Sequence, residues 1–347
     1  MEHAKIKHFI NTQDWSQQEL KDMLVLAGEL KKKPWQNSLQ GKSIALLFLN
    51  PSMRTRTSFE LGMQQLGGVA IVLQPGKDAW GIEFNPGAVM DASAEEHIIE
   101  VAGVLSRYCD MIGLRCFPGF EDWDYDRTDP VIKSLAKYSS VPVVNMETIV
   151  HPCQELALMQ TLYERLGEVQ NKKFVLTWTW HPRPLNTAVA NSAALIATKF
   201  GMDVTLLCPE PAYILDQQYI DAAEKNATEY GGSFQISHDI ESAYAGADVV
   251  YAKSWGALPY YGKSEEEWEL RKNYRHFIVN EEKMALTNNA IFSHCLPLRR
   301  NIKATDAVMD AAYCAAIDEA ENRLHAQKAM LLTLFKQNKE FEYKTNE

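Results

Sequence analysis

The 347-residue chain has a formal net charge of −10, with 46% hydrophobic and 23% charged residues. This length is enough for two ordinary domains, and the negative charge argues against nucleic acid as the main partner. No apolar stretch is long enough to cross a membrane, and the first residues lack the apolar core of a signal peptide. The six cysteines have no paired metal-binding spacing, so we expect a cytoplasmic protein with reduced thiols and no metal.

The predicted elements alternate between short apolar strands and amphipathic helices. Ser16 and Glu19 form a capping-box pattern at the start of the first helix. The predicted strands are 43–49, 69–73, 110–114, 141–145, 173–179, 203–208, 248–251, 290–294 and 315–317. The later helical patterns cover 55–66, 95–108, 153–167, 187–200, 215–230, 279–286 and 321–336. This alternation predicts an α/β protein with two doubly wound parallel-sheet domains, divided near residue 150.

The sequence lacks both common nucleotide-binding signatures. "SLQGKS" ends like a phosphate-binding loop, but Gln36 stands at the required first glycine and a strand follows Ser43. No Gly-x-Gly occurs, so the dinucleotide fingerprint is also absent. We therefore expect no nucleotide cofactor.

A candidate anion site follows the first strand, in "NPSMRTRTSFE". A helix that begins within this run would present its backbone amides, the hydroxyls of Ser52 and Thr55 and the guanidinium of Arg54. A capped, solvated turn is an equally good interpretation of the spacing alone.

Two further clusters contain candidate site residues, and the first of them follows a predicted strand, where ligands bind in open α/β sheets. His151 and Gln154 follow strand 141–145, and His151 could equally be a structural histidine. Adjacent residues of a strand point to opposite faces, so His294 and Cys295 cannot form a catalytic pair. Charge counting favours a solvated basic face for Lys303 with Arg299 and Arg300.

Two more residues have open interpretations. Arg323 lies in an amphipathic helical pattern and could be a surface residue. Trp80 lies in a loop flanked by Gly and Pro, where an exposed tryptophan is costly unless something covers it.

Three motifs together resemble the aspartate/ornithine carbamoyltransferase family: "SMRTRTSFE" at 52, "HPCQ" at 151 and "HCLP" at 294. They occur in the family's order, and the resemblance covers essentially the whole chain. It implies two α/β domains joined by interdomain helices. Residues 1–150 would bind carbamoyl phosphate, 151–320 would bind the amino acid, and the helix in 321–347 would return to the first domain.

Departures from the ordinary ornithine enzymes resemble the branch that uses N-acetylornithine. "AKSWGALP" replaces the family's Ser-Met-Gly loop, and Trp80 and Lys303 are additions. The resemblance then implies carbamoyl transfer to N-acetyl-L-ornithine in arginine biosynthesis, without a cofactor. It also implies a homotrimer with Trp80 in the neighbour's site, and a trefoil knot through residues 178–186 of the second domain. An N-succinylornithine enzyme and a non-catalytic carbamoyl-phosphate-binding protein remain alternatives.

The resemblance also assigns roles to individual residues. Those implied for carbamoyl phosphate are Ser52, Met53, Arg54, Thr55, Trp80, Arg115, His151, Gln154 and Arg323. Of these, Thr55, Arg115, His151 and Gln154 would be catalytic. Those implied for N-acetylornithine are Glu147, Lys253, Cys295, Leu296, Lys303 and Glu95, with Lys303 carboxylated. Glu95, at the start of a predicted helix, would repel a succinyl carboxylate, although it could simply be an acidic helix-end residue.

Overall fold

The computed structural model describes the backbone of residues 6–344 and side chains as far as residue 338. The chain forms two compact units. The first contains the chain as far as Pro118, Tyr125–Leu156 and the chain from Arg323 onward; the second contains Gly119–Asp124 and Ala157–Asn322. Within residues 6–344, no helix is long and apolar enough to cross a membrane.

The first unit is built on a four-stranded parallel sheet. Its helices are α1 (Gln17–Lys32), α2 (Met53–Gln65), α3 (Ile98–Tyr108), the short α4 (Trp123–Asp126, at its border) and α5 (Pro130–Tyr138). Its strands are β1 (Ser43–Phe48), β2 (Val69–Leu73), β3 (Ile82–Glu83), β4 (Glu96–His97), β5 (Met111–Arg115) and β6 (Val143–Glu147). The sheet order is β2-β1-β5-β6, and β3 pairs with β4 separately.

The second unit is built on a five-stranded parallel sheet. Its strands are β7 (Lys173–Trp178), β8 (Asp203–Leu207), β9 (Ser233–Ser237), β10 (Val249–Lys253) and β11 (Ile291–Ser293). The sheet order is β11-β10-β7-β8-β9. Its helices are α7 (Ala188–Lys199), α8 (Gln217–Tyr230), α9 (Ile240–Tyr244), α10 (Ser264–Arg271), α11 (Glu281–Met284) and α12 (Asp306–Met309). Both α6 (Pro152–Leu166) and α13 (Ala316–Lys344) have residues in each unit.

The central strands are buried, as expected for parallel sheets covered on both faces. Every residue of β5 and β6 is buried, as is every residue of β7 after Lys173. The predicted class of two parallel-sheet α/β domains is confirmed. The capping box of Ser16 and Glu19 is also present, at the start of α1.

The structure differs from the predicted elements in several places, and the helices α4, α5, α9, α10 and α12 were not predicted. The predicted strand 315–317 is the beginning of α13, since Ala315 and Ala316 are buried at a helix start and not in a sheet. Strand β9 was not predicted because it is a half-exposed edge strand with mostly polar residues. The predicted helix 95–108 begins only at Ile98, after β4.

The loop that follows β7 is enclosed by other segments of the second unit. Trp180 Nε1 donates to the carbonyl of Arg271 (3.0 Å), and Arg271 Nη1 donates to the carbonyl of Arg183 (2.6 Å). The amide of Gly256 donates to the carbonyl of Leu185 (3.0 Å). Trp180 is therefore core, and so is Trp178. The knot through this loop stays a prediction.

Candidate active site

The strand-to-helix junction predicted in "NPSMRTRT" is present in the first unit. Strand β1 ends at Phe48 and α2 begins at Met53, with Ser52 as its N-cap. Ser52 Oγ accepts a hydrogen bond from the amide of Thr55 (3.1 Å). The first-turn amides and the positive end of the helix dipole favour an anion at this point.

The two arginines of this run have different environments. Arg56 is exposed, and its Nε lies 3.2 Å from Glu60 Oε2, an i,i+4 surface pair. Arg54 is half-buried on the first turn of α2, and Met53 is 75% exposed. Of these two cations, Arg54 is therefore the candidate for ligand binding.

Arg323 on α13 connects two of the predicted motifs within the first unit. Its Nη1 donates to Gln154 Oε1 (2.8 Å), and its Nη2 donates to Thr55 Oγ1 (3.0 Å). Burial lowers the pKa of Arg323, and the nearby cations Arg115 and Arg54 lower it further. The interpretation of Arg323 as a surface residue is therefore wrong, because its side chain is 4% exposed.

Arg115, Glu147 and His151 meet at the carboxyl ends of β5 and β6. Arg115 Nη1 forms an ion pair with Glu147 Oε2, and His151 Nε2 lies 3.4 Å from the same oxygen. All three side chains are buried or nearly so. Together with Arg54 and Arg323 they form a cluster with three guanidinium groups and one carboxylate, a charge balance that suits an anionic ligand.

The second unit holds a separate cluster at the carboxyl ends of β10 and β11. Lys253 Nζ lies 3.6 Å from Cys295 Sγ, and Lys303 Nζ lies 3.5 Å from His294 Nε2. His294 Nδ1 accepts the amide of Leu296 (2.8 Å). Because Nδ1 is an acceptor, a neutral His294 ring carries its proton on Nε2, directed at the Lys303 amine.

Lys303 is buried and its pKa is lowered to about 7, first by burial and then by the cation Lys253. Arg299 lowers the pKa further. The solvated-face interpretation is therefore wrong for Lys303, although it holds for Arg300, which is exposed and bonds to Asp306 and Asp310. A neutral amine near pH 7 is the form that carboxylation requires.

Trp80 and Glu95 are both exposed. The indole of Trp80 is 68% exposed, in the loop before β3. Glu95 lies in the loop before β4, so its predicted place at a helix start is wrong. The N-cap of α3 is His97 and its first-turn acid is Glu100, which removes the interpretation of Glu95 as a helix-end residue.

His294 is the site residue that sequence reasoning missed. It was considered only as a partner of Cys295, whereas its ring contacts Lys303 and the amide of Leu296. Its place directly after β11, at the carboxyl end of a parallel strand, was the available signal.

Two family matches cover nearly the whole chain. Residues 7–164 match the aspartate/ornithine carbamoyltransferase carbamoyl-P binding domain, and residues 169–334 match the Asp/Orn binding domain of the same family. The chain therefore belongs to the aspartate/ornithine carbamoyltransferase family. The enzyme class that the three motifs predict, a carbamoyltransferase, is confirmed.

More specific similarity is to N-acetylornithine carbamoyltransferases. The chain is 67% identical to the N-acetylornithine carbamoyltransferase of Xanthomonas axonopodis pv. citri over 334 residues, which cover 96% of this chain and 97% of that protein. It is 64% identical to the N-acetylornithine carbamoyltransferase of Xylella fastidiosa over 334 residues, which cover 96% of this chain and 99% of that protein. A solved structure of acetylornithine transcarbamylase complexed with acetylcitrulline matches with a TM-score of 0.94 and 67% identity, over 95% of this chain and 99% of that chain.

Proposed function

We propose that the protein transfers the carbamoyl group of carbamoyl phosphate to the δ-amine of N-acetyl-L-ornithine. The products are N-acetyl-L-citrulline and phosphate, in arginine biosynthesis. The observation that carries this proposal is the buried group in which Arg323 bonds both Thr55 and Gln154 at the N-terminus of α2. The similarity to N-acetylornithine carbamoyltransferases supports the choice of acceptor.

The first unit binds carbamoyl phosphate in this proposal. Arg54 and Arg323 bind the phosphate with the first turn of α2, because forked cations and helix amides suit its oxygens. The other phosphate contacts are Ser52, Met53, Thr55 and Trp80. Arg115, His151 and Gln154 surround the carbamoyl group.

The proposed N-acetylornithine contacts in the second unit are Lys253, Cys295, Leu296 and the carboxylated Lys303. Glu147, which is ion-paired with Arg115, is a further proposed contact.

The chemistry follows from these residue types. The δ-amine, with an ordinary pKa of about 10.4, must be neutral to attack the carbamoyl carbon. Negative charge then develops on the carbonyl oxygen, where Arg115, His151 and Thr55 act as donors. The C–O bond to phosphate breaks, Arg54 and Arg323 stabilise the departing phosphate, and its oxygens take the proton lost by the amine.

The direct test is incubation of the purified protein with carbamoyl phosphate and N-acetyl-L-ornithine, with mass-spectrometric detection of N-acetyl-L-citrulline. Phosphate release in parallel, with and without the amine, separates transfer from hydrolysis. We expect equal amounts of the two products. Tight carbamoyl phosphate binding without any ureido product would instead favour the non-catalytic alternative.

An N-succinylornithine activity is the second candidate, and Glu95 is the residue that argues against it. Its carboxylate would repel a succinyl carboxylate if a neighbouring subunit covers this exposed side chain, since like charges in a desolvated place cost several kcal/mol. We expect Glu95→Pro and Glu95→Ala to shift the kcat/KM ratio toward N-succinyl-L-ornithine by about tenfold or more. Glu96→Ala, at the adjacent residue, is the matched control. A ratio unchanged in both Glu95 variants would assign Glu95 no part in substrate choice.

We further propose a homotrimer in which Trp80 reaches the neighbouring subunit's site. The support is the 68% exposure of its indole in a loop. Sedimentation equilibrium should then give three times the chain mass of 39.3 kDa.

The six free cysteines support a reducing, cytoplasmic compartment.

A further inference from the structure

Asp129 has a backbone conformation that its own helix does not need. It is the N-cap of α5, yet it lies in the left-handed region (φ 51°, ψ 53°), and its side chain makes no capping bond. Aspartate is among the best N-cap residues when its backbone is extended, and it tolerates the left-handed region better than most residues with a Cβ. The carboxylate is therefore directed away from its own helix and is free to bond elsewhere.

The carboxylate of Asp129 binds Thr148 instead. Thr148 Oγ1 donates to Asp129 Oδ2 at 2.6 Å, and Asn145 Nδ2 donates to Thr148 Oγ1 at 2.8 Å. Asn145 Nδ2 also donates to the carbonyl of Ile10 (3.1 Å). Asn145 and Thr148 are buried, whereas Asp129 is half-buried at the outer end of this chain of three side chains. Burial raises the pKa of Asp129 to about 6, although the Thr148 hydroxyl opposes the shift.

This chain supports a turn between two members of the candidate active site. Glu147 ends β6 directly before Thr148, and His151 follows two residues after Ile149. The amide of Thr148 donates to the carbonyl of Val150 (3.0 Å), which closes the turn. The orientation of His151 toward Glu147 therefore depends on where Thr148 is fixed.

We propose that Asp129 is a positioning residue for carbamoyl transfer. Through its hydrogen bond with Thr148 it fixes the orientation of His151 relative to Glu147. The proposal rests on the function proposed above. Asp129 touches no substrate, and its effect is on the step in which the carbamoyl oxygen gains charge. The residues proposed for the phosphate group, Arg54, Thr55 and Arg323, lie outside the turn, so the phosphate contacts that contribute to carbamoyl phosphate binding should be retained.

Asp129→Gly separates positioning from folding. Glycine adopts a positive φ without strain and is tolerated at an N-cap, so we expect a melting temperature within about 3 °C of wild type. With the carboxylate gone, kcat should fall about 10- to 100-fold, because small misplacements of catalytic groups cost rates of this order. KM for carbamoyl phosphate should stay within about threefold, because a change that misplaces a catalytic group lowers kcat without removing the contacts that bind the substrate. Asp129→Asn keeps an acceptor for Thr148 and should recover part of kcat.

The matched control is Asn289→Gly, which relieves a positive φ (49°) at an exposed residue of the second unit. It should leave kcat unchanged. Histidine ¹⁵N NMR gives a readout that does not need turnover: the His151 ring signal should shift or broaden in Asp129→Gly and not in Asn289→Gly. An Asp129→Gly protein with wild-type kcat and an unmoved His151 signal would overturn the proposal. An inactive wild type would instead count against the proposed function, and the NMR comparison would still decide the positioning role.

Discussion

Replacing Arg54 by alanine should lower kcat about 1,000-fold, because the lost guanidinium stabilises the charge that develops on the departing phosphate. Arg54 is half-buried on the first turn of α2, beside the buried contact of Arg323 with Thr55. The variant should keep its fold, since the capping bond of Ser52 to Thr55 does not involve the Arg54 side chain. Steady-state kinetics and a thermal melt of the same preparation measure both effects.

Arg56→Ala is the matched control for Arg54→Ala. Arg56 lies on the same helix, between two threonines, but its guanidinium forms an exposed ion pair with Glu60. Exposed pairs of this kind contribute little, about 0.3–0.5 kcal/mol, so kcat should be close to wild type. Equal losses in the two variants would show that the arginines act only through the general charge of the helix.

Replacing Lys303 by arginine should raise KM for N-acetylornithine and lower kcat, together about 100-fold or more in kcat/KM. Arginine keeps the positive charge but cannot become a carbamate, because its guanidinium does not lose a proton in proteins. Carbamoyl phosphate binding should be nearly unchanged, since Lys303 belongs to the second unit's cluster with His294 and Lys253. Parallel losses for both substrates would instead assign Lys303 a structural role.

The pH dependence of carboxylation has a definite sign. The pKa of Lys303 is lowered from 10.5 to about 7, so its ammonium form dominates below pH 7 and its amine form above. Carbamate formation needs the amine, and should therefore increase from pH 6 to pH 8 at constant dissolved CO₂. A ¹³C NMR carbamate signal from labelled bicarbonate should follow this trend in wild type and be absent in Lys303→Arg. A wild-type signal that is missing across this range would contradict the assignment.

Local patterns predicted the elements that depend on neighbours in sequence. The helix that starts after Ser52 and the capping box of Ser16 and Glu19 each need only residues within one turn, and both are present. The family and the reaction class followed from the three motifs taken together and are confirmed by the comparisons. The residue roles within the site remain predictions.

Local sequence patterns could not predict features that depend on distant partners, and only the family resemblance pointed to Arg323 and Lys303 as site residues. Arg323 looks like a surface residue because Gln154 and Thr55, which it bonds, are 169 and 268 positions away. Lys303 looked solvated because its neighbours Arg299 and Arg300 suggested a basic face, while its burial depends on the packing of the second unit. Strand β9 was missed because its polar residues need the edge of β8 to form a strand.

The most direct test of the proposed function is an internal competition. Wild-type protein is given limiting carbamoyl phosphate and equal concentrations of N-acetyl-L-ornithine, N-succinyl-L-ornithine and L-ornithine, and the three ureido products are counted by mass spectrometry. The product ratio equals the ratio of the kcat/KM values, so no single-substrate constants are needed. We expect N-acetyl-L-citrulline to account for nearly all of the product. A mixture dominated by N-succinyl-L-citrulline or citrulline would contradict the proposed acceptor, and the absence of all three would contradict carbamoyl transfer to ornithine-type amines.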